Sequence, residues 1–101
     1  MTYKIVFRPF AENDLVALFQ YIAENSSPDR AVAYICRIEH ACMSLADFPF
    51  RGAKRDDLHP GLRIIGFERR ASIAFVVESQ TVRILRIFYG GRDFPEDWDN
   101  S

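Results

Sequence analysis

Few side chains in this sequence are equipped for chemistry, and most of them fall in one stretch. Residues 51–92 carry nine basic and four acidic side chains, against four and six in residues 1–50, and none and four in residues 93–101. The middle of the chain is therefore locally basic although the net charge is −1. Such a surface suits an acidic partner or a nucleic-acid backbone; arginines on solvated strand edges, where charge discourages aggregation, are the structural alternative. Cutting RNA through its own 2′-hydroxyl needs a base for that proton, an acid for the leaving oxygen and cations for the charged transition state. Arg63, Arg86 and Arg92 would supply cations, and Tyr89 is the best acid. As a base, a phenol would need strong help from neighbouring arginines. His59 stands before Pro60 in a position suited to a turn, and His40 falls on a helix flank away from the strands. These residues yield no matched acid–base pair.

Other chemistries lack their residues. There is no G-x-x-x-x-G-K phosphate loop and no G-x-G-x-x-G fingerprint, and no helix-forming run follows Gly90-Gly91. Two histidines and two cysteines show no zinc spacing, Asp56-Asp57 reads as solvated rather than coordinating, and no serine sits in a nucleophile elbow. The expectation is no metal and no cofactor. Cys36 and Cys42, six apart in a helical pattern, lie about 240° apart around a helix. They cannot form a local C-x-x-C pair and read as buried, reduced thiols of a cytoplasmic protein. No apolar run is long enough to cross a bilayer, and the opening residues carry no signal-peptide core.

These residues must be positioned by a small scaffold. A chain of 101 residues, 49% apolar and 27% charged, suits one globular domain over residues 1–101. Tyr3 to Arg8 is rich in strand formers and ends at Pro9. From Ala11 the period changes: Ala11, Leu15, Phe19 and Ile22 mark one face of a helix ending near Asn25. Ser27-Pro28-Asp29 supplies a cap, a first-turn proline and an acid at the positive end of a second helix. Its seam is Ala31, Ile35, Ile38, Cys42 and Leu45. The short gap between the helices implies an antiparallel hairpin. An irregular loop runs from Phe48 to Gly61, followed by strands at Leu62 to Phe67, Ala71 to Glu78 and Thr81 to Tyr89, with Ser79-Gln80 as a tight turn. The fold class is α+β: an N-terminal strand, a helical hairpin and a three-stranded antiparallel meander completing a mainly antiparallel sheet.

Strand alternation then separates the sheet's two faces. Ile73, Phe75 and Val77 share one face, with Ser72, Ala74 and Val76 on the other; in the last strand Val82, Ile84 and Phe88 lie opposite Leu85 and Ile87. One helical hairpin covers one side, so Ala74, Val76, Leu85 and Ile87 are expected to expose an apolar, arginine-bordered surface for a partner. The structural alternative is that the loop from 48 to 61 and the tail cover it.

Several segments also carry a resemblance. Arg55-Asp56-Asp57-Leu58-His59-Pro60-Gly61-Leu62-Arg63, Arg70-Ala71-Ser72-Ile73-Ala74-Phe75 and Ile84-Leu85-Arg86-Ile87-Phe88-Tyr89-Gly90-Gly91-Arg92-Asp93 resemble the ParE branch of the RelE/ParE toxins in order and spacing. Phe10-Ala11-Glu12-Asn13-Asp14-Leu15 and Tyr21-Ile22-Ala23 resemble that family's first helix. The resemblance implies a toxin of a type II toxin–antitoxin system, held in a hetero-oligomer by a ParD-like ribbon-helix-helix antitoxin. DNA gyrase is the implied target, its cleavage complex trapped, with DNA met only through antitoxin or gyrase. The sister RelE branch implies ribosome-dependent messenger RNA cleavage instead, by Arg63, Arg86, Tyr89 and Arg92. RelE's lysine cluster has no counterpart here, where Lys54 lies in the loop and Lys4 far away. A relic that binds antitoxin without toxicity is the third reading. The family's C-terminal region is associated with toxicity. That implies a target contact through Arg63, Arg86, Tyr89, Arg92, Phe94 and Trp98, although the tail here is acidic and short, and its two aromatics would equally suit packing on the core.

Overall fold

The computed structural model describes residues 2–90. Strand β1 (Lys4–Phe7) leads into helices α1 (Pro9–Asn25) and α2 (Pro28–Met43). A 3-10 turn at Ser44–Ala46 then precedes a two-residue strand β2 (Ala53–Lys54) and the meander β3 (Leu62–Phe67), β4 (Ala71–Glu78) and β5 (Thr81–Tyr89). The expected α+β architecture and the three meander strands are as read from the sequence. Two boundaries differ. Pro9 opens α1 rather than closing the first strand, because a helix's first turn has no partner for the missing N–H. The loop expected from Phe48 to Gly61 contains β2, whose Ala53 and Lys54 pair with Ile64 and Arg63.

Each helix start follows from its residues. Ser27 is the N-cap of α2, its hydroxyl accepting the Arg30 backbone N–H at 3.1 Å, with Pro28 and Asp29 in the first turn. The α1 start has no such cap; Arg8 is extended, its carbonyl accepts the Glu12 N–H at 3.1 Å, and Pro9 pre-sets the turn.

The sheet runs β1-β5-β4-β3-β2, antiparallel except that β1 lies parallel to β5. The helical hairpin covers one face. There Ile38, Cys42, Leu45, Ile73, Phe75, Val82 and Ile84 are fully buried, with Ile87 beside them. Leu62, Ala74, Val76, Leu85 and Phe88 form a second, smaller cluster, against which Leu58 and Ile64 pack.

This division corrects the strict alternation read from the sequence. Ala74 pairs with Arg86 but Phe75 with Ile84, so Leu85 is an extra residue in β5. A β-bulge of this kind reverses the facing of everything beyond it. Ile87 therefore joins the helix-side core, and Phe88 moves to the side of Leu85. The expected open face is also filled: Ala74, Val76 and Leu85 are at most 5% exposed. Cys42 is buried as expected, whereas Cys36 is exposed, since a position six residues away falls on a different side of α2.

Beyond the bulge β5 stays paired with β4 but has no strand on its other side. The pairing of β1 stops at Phe7 and Ile84, and the Arg8 N–H to Ile84 carbonyl bond, 3.0 Å, is its last backbone link. Asp14 of α1 takes over. One carboxylate oxygen accepts the Ile87 backbone N–H at 2.9 Å and the Arg86 Nε at 2.8 Å, while the other accepts Arg86 Nη2 at 3.0 Å. The pair is largely shielded, with side chains 11% and 21% exposed. These bonds hold the Arg86 guanidinium above the ordinary arginine value, against the opposing effect of burial.

Left-handed backbone occurs at several turns, two of which bear on the packing. Phe67 to Arg70 closes on a 3.1 Å bond with both central residues, Glu68 (φ 48°) and Arg69 (φ 62°), left-handed and neither of them glycine. Arg37 of α2 clamps this turn through Nε and Nη2 to the Glu68 carboxylate at 2.8 and 3.1 Å. Gly52, at φ 82°, sits where an added Cβ would lie 2.4 Å from the Ile64 carbonyl oxygen.

Two stability predictions follow. Asp14→Ala leaves a shielded guanidinium and a backbone N–H unpaired and should lower stability by about 2–4 kcal/mol in urea unfolding, with Arg86→Met milder; an Asp14→Ala midpoint equal to wild type would refute the role given to the carboxylate. Gly52→Ala combines left-handed strain with a backbone clash and should cost about 2–4 kcal/mol. Gly61→Ala, at φ 78° in open space, should show only the roughly 1–2 kcal/mol of strain; equal losses at the two positions would mean that close packing at Gly52 contributes nothing.

Candidate functional site

The three described arginine and tyrosine candidates do not converge. Arg86 is held by Asp14, with the rings of Phe10 and Phe88 at 5.4 and 5.2 Å from its guanidinium carbon. Arg63 of β3 lies over the Phe50 ring at 5.3 Å. Through Phe75 it stands abreast of Ile84, whereas Tyr89 lies five residues further along β5, roughly 17 Å away at strand spacing. Tyr89 packs instead against Tyr21 and Tyr34, with ring centroids 5.7 and 5.9 Å apart. Arg92, Phe94 and Trp98 lie outside the described residues.

The two histidines come from other elements. His40 is exposed near the end of α2. His59 belongs to a structured loop in which its carbonyl accepts the Leu62 N–H at 3.0 Å and Asp56 accepts the Gly61 N–H at 2.8 Å. In that loop Arg55 grips Asp57 through two 3.0 Å bonds, which hold this carboxyl below its usual range. Lys54 is exposed on β2. Burial pushes the Cys42 thiol up to about 12, so it stays protonated. No cluster of three or more His, Cys, Asp or Glu side chains able to hold a metal occurs among the described residues. No helix among them is long and apolar enough to cross a membrane.

The residues expected to bind a partner, Ala74, Val76, Leu85 and Ile87, are buried on two different sides of the sheet. An open apolar surface lies on the helices. Phe7, Leu15, Val16, Phe19 and Ile35 line a trough of about 610 Å³, edged by Glu12, Gln20 and Glu39. Val16 is 57% exposed. The apolar arc of α1 is wider than packing on the sheet needs: Leu18 is buried inside, while Val16 faces out on another side. That surplus width is the signal by which the sequence could have revealed the trough. Its acidic edges suit an apolar helix or strand flanked by basic residues.

A second concavity, about 460 Å³, opens where the end of α1, the start of α2, the β3–β4 turn and the end of β5 meet. Arginine and tyrosine dominate its lining, and sequence reasoning had singled out only Tyr89 there. The others come from elements far apart in the chain, so no local motif gathers them.

Comparison with known proteins accords with this architecture. The family model described as ParE toxin of type II toxin-antitoxin system, parDE, matches residues 5–94. Toxin ParE3 of Caulobacter vibrioides is 35% identical over 77 residues, 76% of this chain and 76% of that protein. A chain of the chromosomal ParDE TA system from P. aeruginosa superimposes with a TM-score of 0.77 at 26% identity, covering 88% of this chain and 97% of that one. A chain of the toxin–antitoxin complex RelBE2 from Mycobacterium tuberculosis shares the fold, with a TM-score of 0.60 at 21% identity over 88% and 99% of the two chains. With the sequence match running from β1 through the whole sheet, the chain belongs to the ParE toxin family of type II toxin–antitoxin systems.

Proposed function

We propose that the protein arrests growth by trapping the cleavage complex of DNA gyrase in the cytoplasm, and that a ParD-like ribbon-helix-helix antitoxin neutralises it. The family match over residues 5–94 carries this reading. The chain in the ParDE system from P. aeruginosa, alike over 88% of this chain, supports an antitoxin partner.

The antitoxin seats on the helical trough rather than on the sheet face. A partner segment needs apolar side chains it can desolvate, and Phe7, Leu15, Val16, Phe19 and Ile35 provide them. The glutamates at the edges select basic flanks and leave the basic strands out of the contact.

Toxicity resides in Arg92, Phe94 and Trp98 beyond β5, with Arg63, Arg86 and Tyr89 in the body. Of the last three, Arg86 supports the scaffold from which the tail departs, since its guanidinium is engaged by Asp14. Their separation favours a binding poison over the RelE-like nuclease, which needs cations and an acid around one phosphate.

Purified toxin incubated with gyrase, ATP and supercoiled plasmid should yield linear DNA that depends on both proteins once gyrase is denatured. No linear product from a folded, antitoxin-competent sample, together with cleavage of messenger RNA on ribosomes, would replace this reading with the nuclease. Absence of both activities would leave an antitoxin-binding relic. Deleting residues 94–101 should abolish growth arrest while antitoxin binding persists; arrest by the truncated chain would remove the tail from the target contact. Val16→Glu puts a charge into the trough without touching the core and should weaken antitoxin binding at least tenfold by calorimetry, about 1.4 kcal/mol; unchanged affinity would place the antitoxin elsewhere.

A further inference from the structure

The second concavity gathers three guanidiniums, from Arg30, Arg37 and Arg70, and one carboxylate, that of Glu68. Glu68 is committed to Arg37 by two bonds. Among the described residues Arg30 has a long 3.4 Å contact to the Ser26 hydroxyl, and the Tyr89 hydroxyl beside Arg70 holds that guanidinium above its ordinary value. Two of the three cations thus face the space with neutral companions. Like charges held around one cavity repel unless an anion joins them.

A separate observation concerns Tyr34, which lines the same space. It is 8% exposed, and its hydroxyl is sealed from solvent with no hydrogen-bond partner among the described residues. Burial, then the neighbouring Tyr89 and Glu68, raises its pKa, so it remains a donor. A buried donor without an acceptor is uncommon and destabilising. Among the described residues Glu68 is the one carboxylate at this corner, and Arg37 occupies it.

The rim adds a flat surface. Tyr21 is 53% exposed and rests against Tyr89, whose ring meets Tyr34 edge-on. An accessible tyrosine face beside arginines is the pairing that holds a base and its phosphate. A volume of about 460 Å³ falls within the roughly 300–1,000 Å³ of small-ligand sites.

We infer that this cavity binds a phosphorylated nucleotide, free or at the end of a nucleic-acid strand, with the phosphate on Arg30 and Arg70 and the base on Tyr21. Guanidinium forks match phosphate oxygens in pairs. Arg37 stays with Glu68, bracing the turn that carries Arg70, and that carboxylate disfavours a second anion close to the turn. A carboxylate ligand would satisfy one guanidinium and leave the aromatic rim unused, which is why the phosphate is preferred to an acidic peptide. The inference does not depend on gyrase being the target.

Calorimetry on the purified full chain in low salt tests it, with AMP, inorganic phosphate, and a single-stranded DNA hexamer with and without a 5′-phosphate. AMP should bind saturably and at least tenfold more tightly than phosphate. Arg30→Ala and Arg70→Ala should each weaken AMP at least tenfold, and Tyr21→Ala should bring AMP down to the phosphate level. Both arginines are exposed, so unchanged thermal unfolding is expected to confirm that the variants fold. Arg83→Ala, at the distant start of β5 where Arg83 pairs with Glu78, should bind as wild type does. Tighter binding of the phosphorylated hexamer than of AMP identifies a strand end as the source, and the reverse identifies a free nucleotide. Failure of every probe to saturate, equal loss in Arg83→Ala, equal binding of the unphosphorylated hexamer, or equal competition by a hexaglutamate peptide would each overturn the inference.

Discussion

Asp14 is the constraint on which this fold turns. A five-stranded sheet whose edge strand β1 reaches only to Ile84 leaves the second half of β5 paired with β4 but open on its other side, and exposed ladder groups must be satisfied or shielded. One carboxylate from α1 does both, accepting the Ile87 N–H and clasping Arg86. It thereby ties the helical hairpin to the far end of the strand, where pairing with β1 has stopped. The bulge at Leu85 lies at the same point. The added residue lets Arg86 meet α1 while Ile87 returns to the core, so the ion pair and the bulge depend on one another.

Much of this was legible in the residues. The meander strands, the Ser27 cap and the helical hairpin follow from period, proline and capping chemistry, which act over a few residues. The bulge was not, because alternation from Val82 to Tyr89 reads equally well with or without an inserted residue; only pairing with Ala74 and Phe75 decides it. That single residue misassigned Ile87 and Phe88, while the expected partner face of Ala74, Val76 and Leu85 is instead filled by its own cluster, with Leu58 and Ile64 packed on it. Leu58 illustrates a related limit. A leucine between Asp57 and His59 gives no period, yet it packs on the cluster of Leu62, Ala74 and Val76. Among the site candidates, residue type alone suggested that Arg63, Arg86 and Tyr89 act together. Register separates Arg63 from Tyr89, and Asp14, 72 positions earlier, occupies Arg86.

The resulting surface is divided by chemistry. An apolar trough with acidic edges lies along the helices beside β1, and a cationic, tyrosine-lined hollow lies where the hairpin turn meets the end of the sheet. Partners that prefer one have little reason to prefer the other. Tyr89, which belongs to the hollow's lining, precedes Arg92, Phe94 and Trp98 closely in sequence.

The parallel pairing of β1 with β5 also has a consequence for how the chain is made. Lys4 to Phe7 emerge early in synthesis, but their partners Thr81 to Ile84 come more than seventy residues later. At about 5–20 residues per second, the first strand waits several seconds with its hydrogen-bonding edge unmatched, and Asp14 waits equally long for Arg86. The helical hairpin is therefore a unit the nascent chain can assemble before the meander has been made, and the trough contains α1 and α2 positions within it. An antitoxin seated on that trough, as proposed above, would meet the chain before its sheet has closed, and neutralisation would then begin on the ribosome while the toxin is still unfinished.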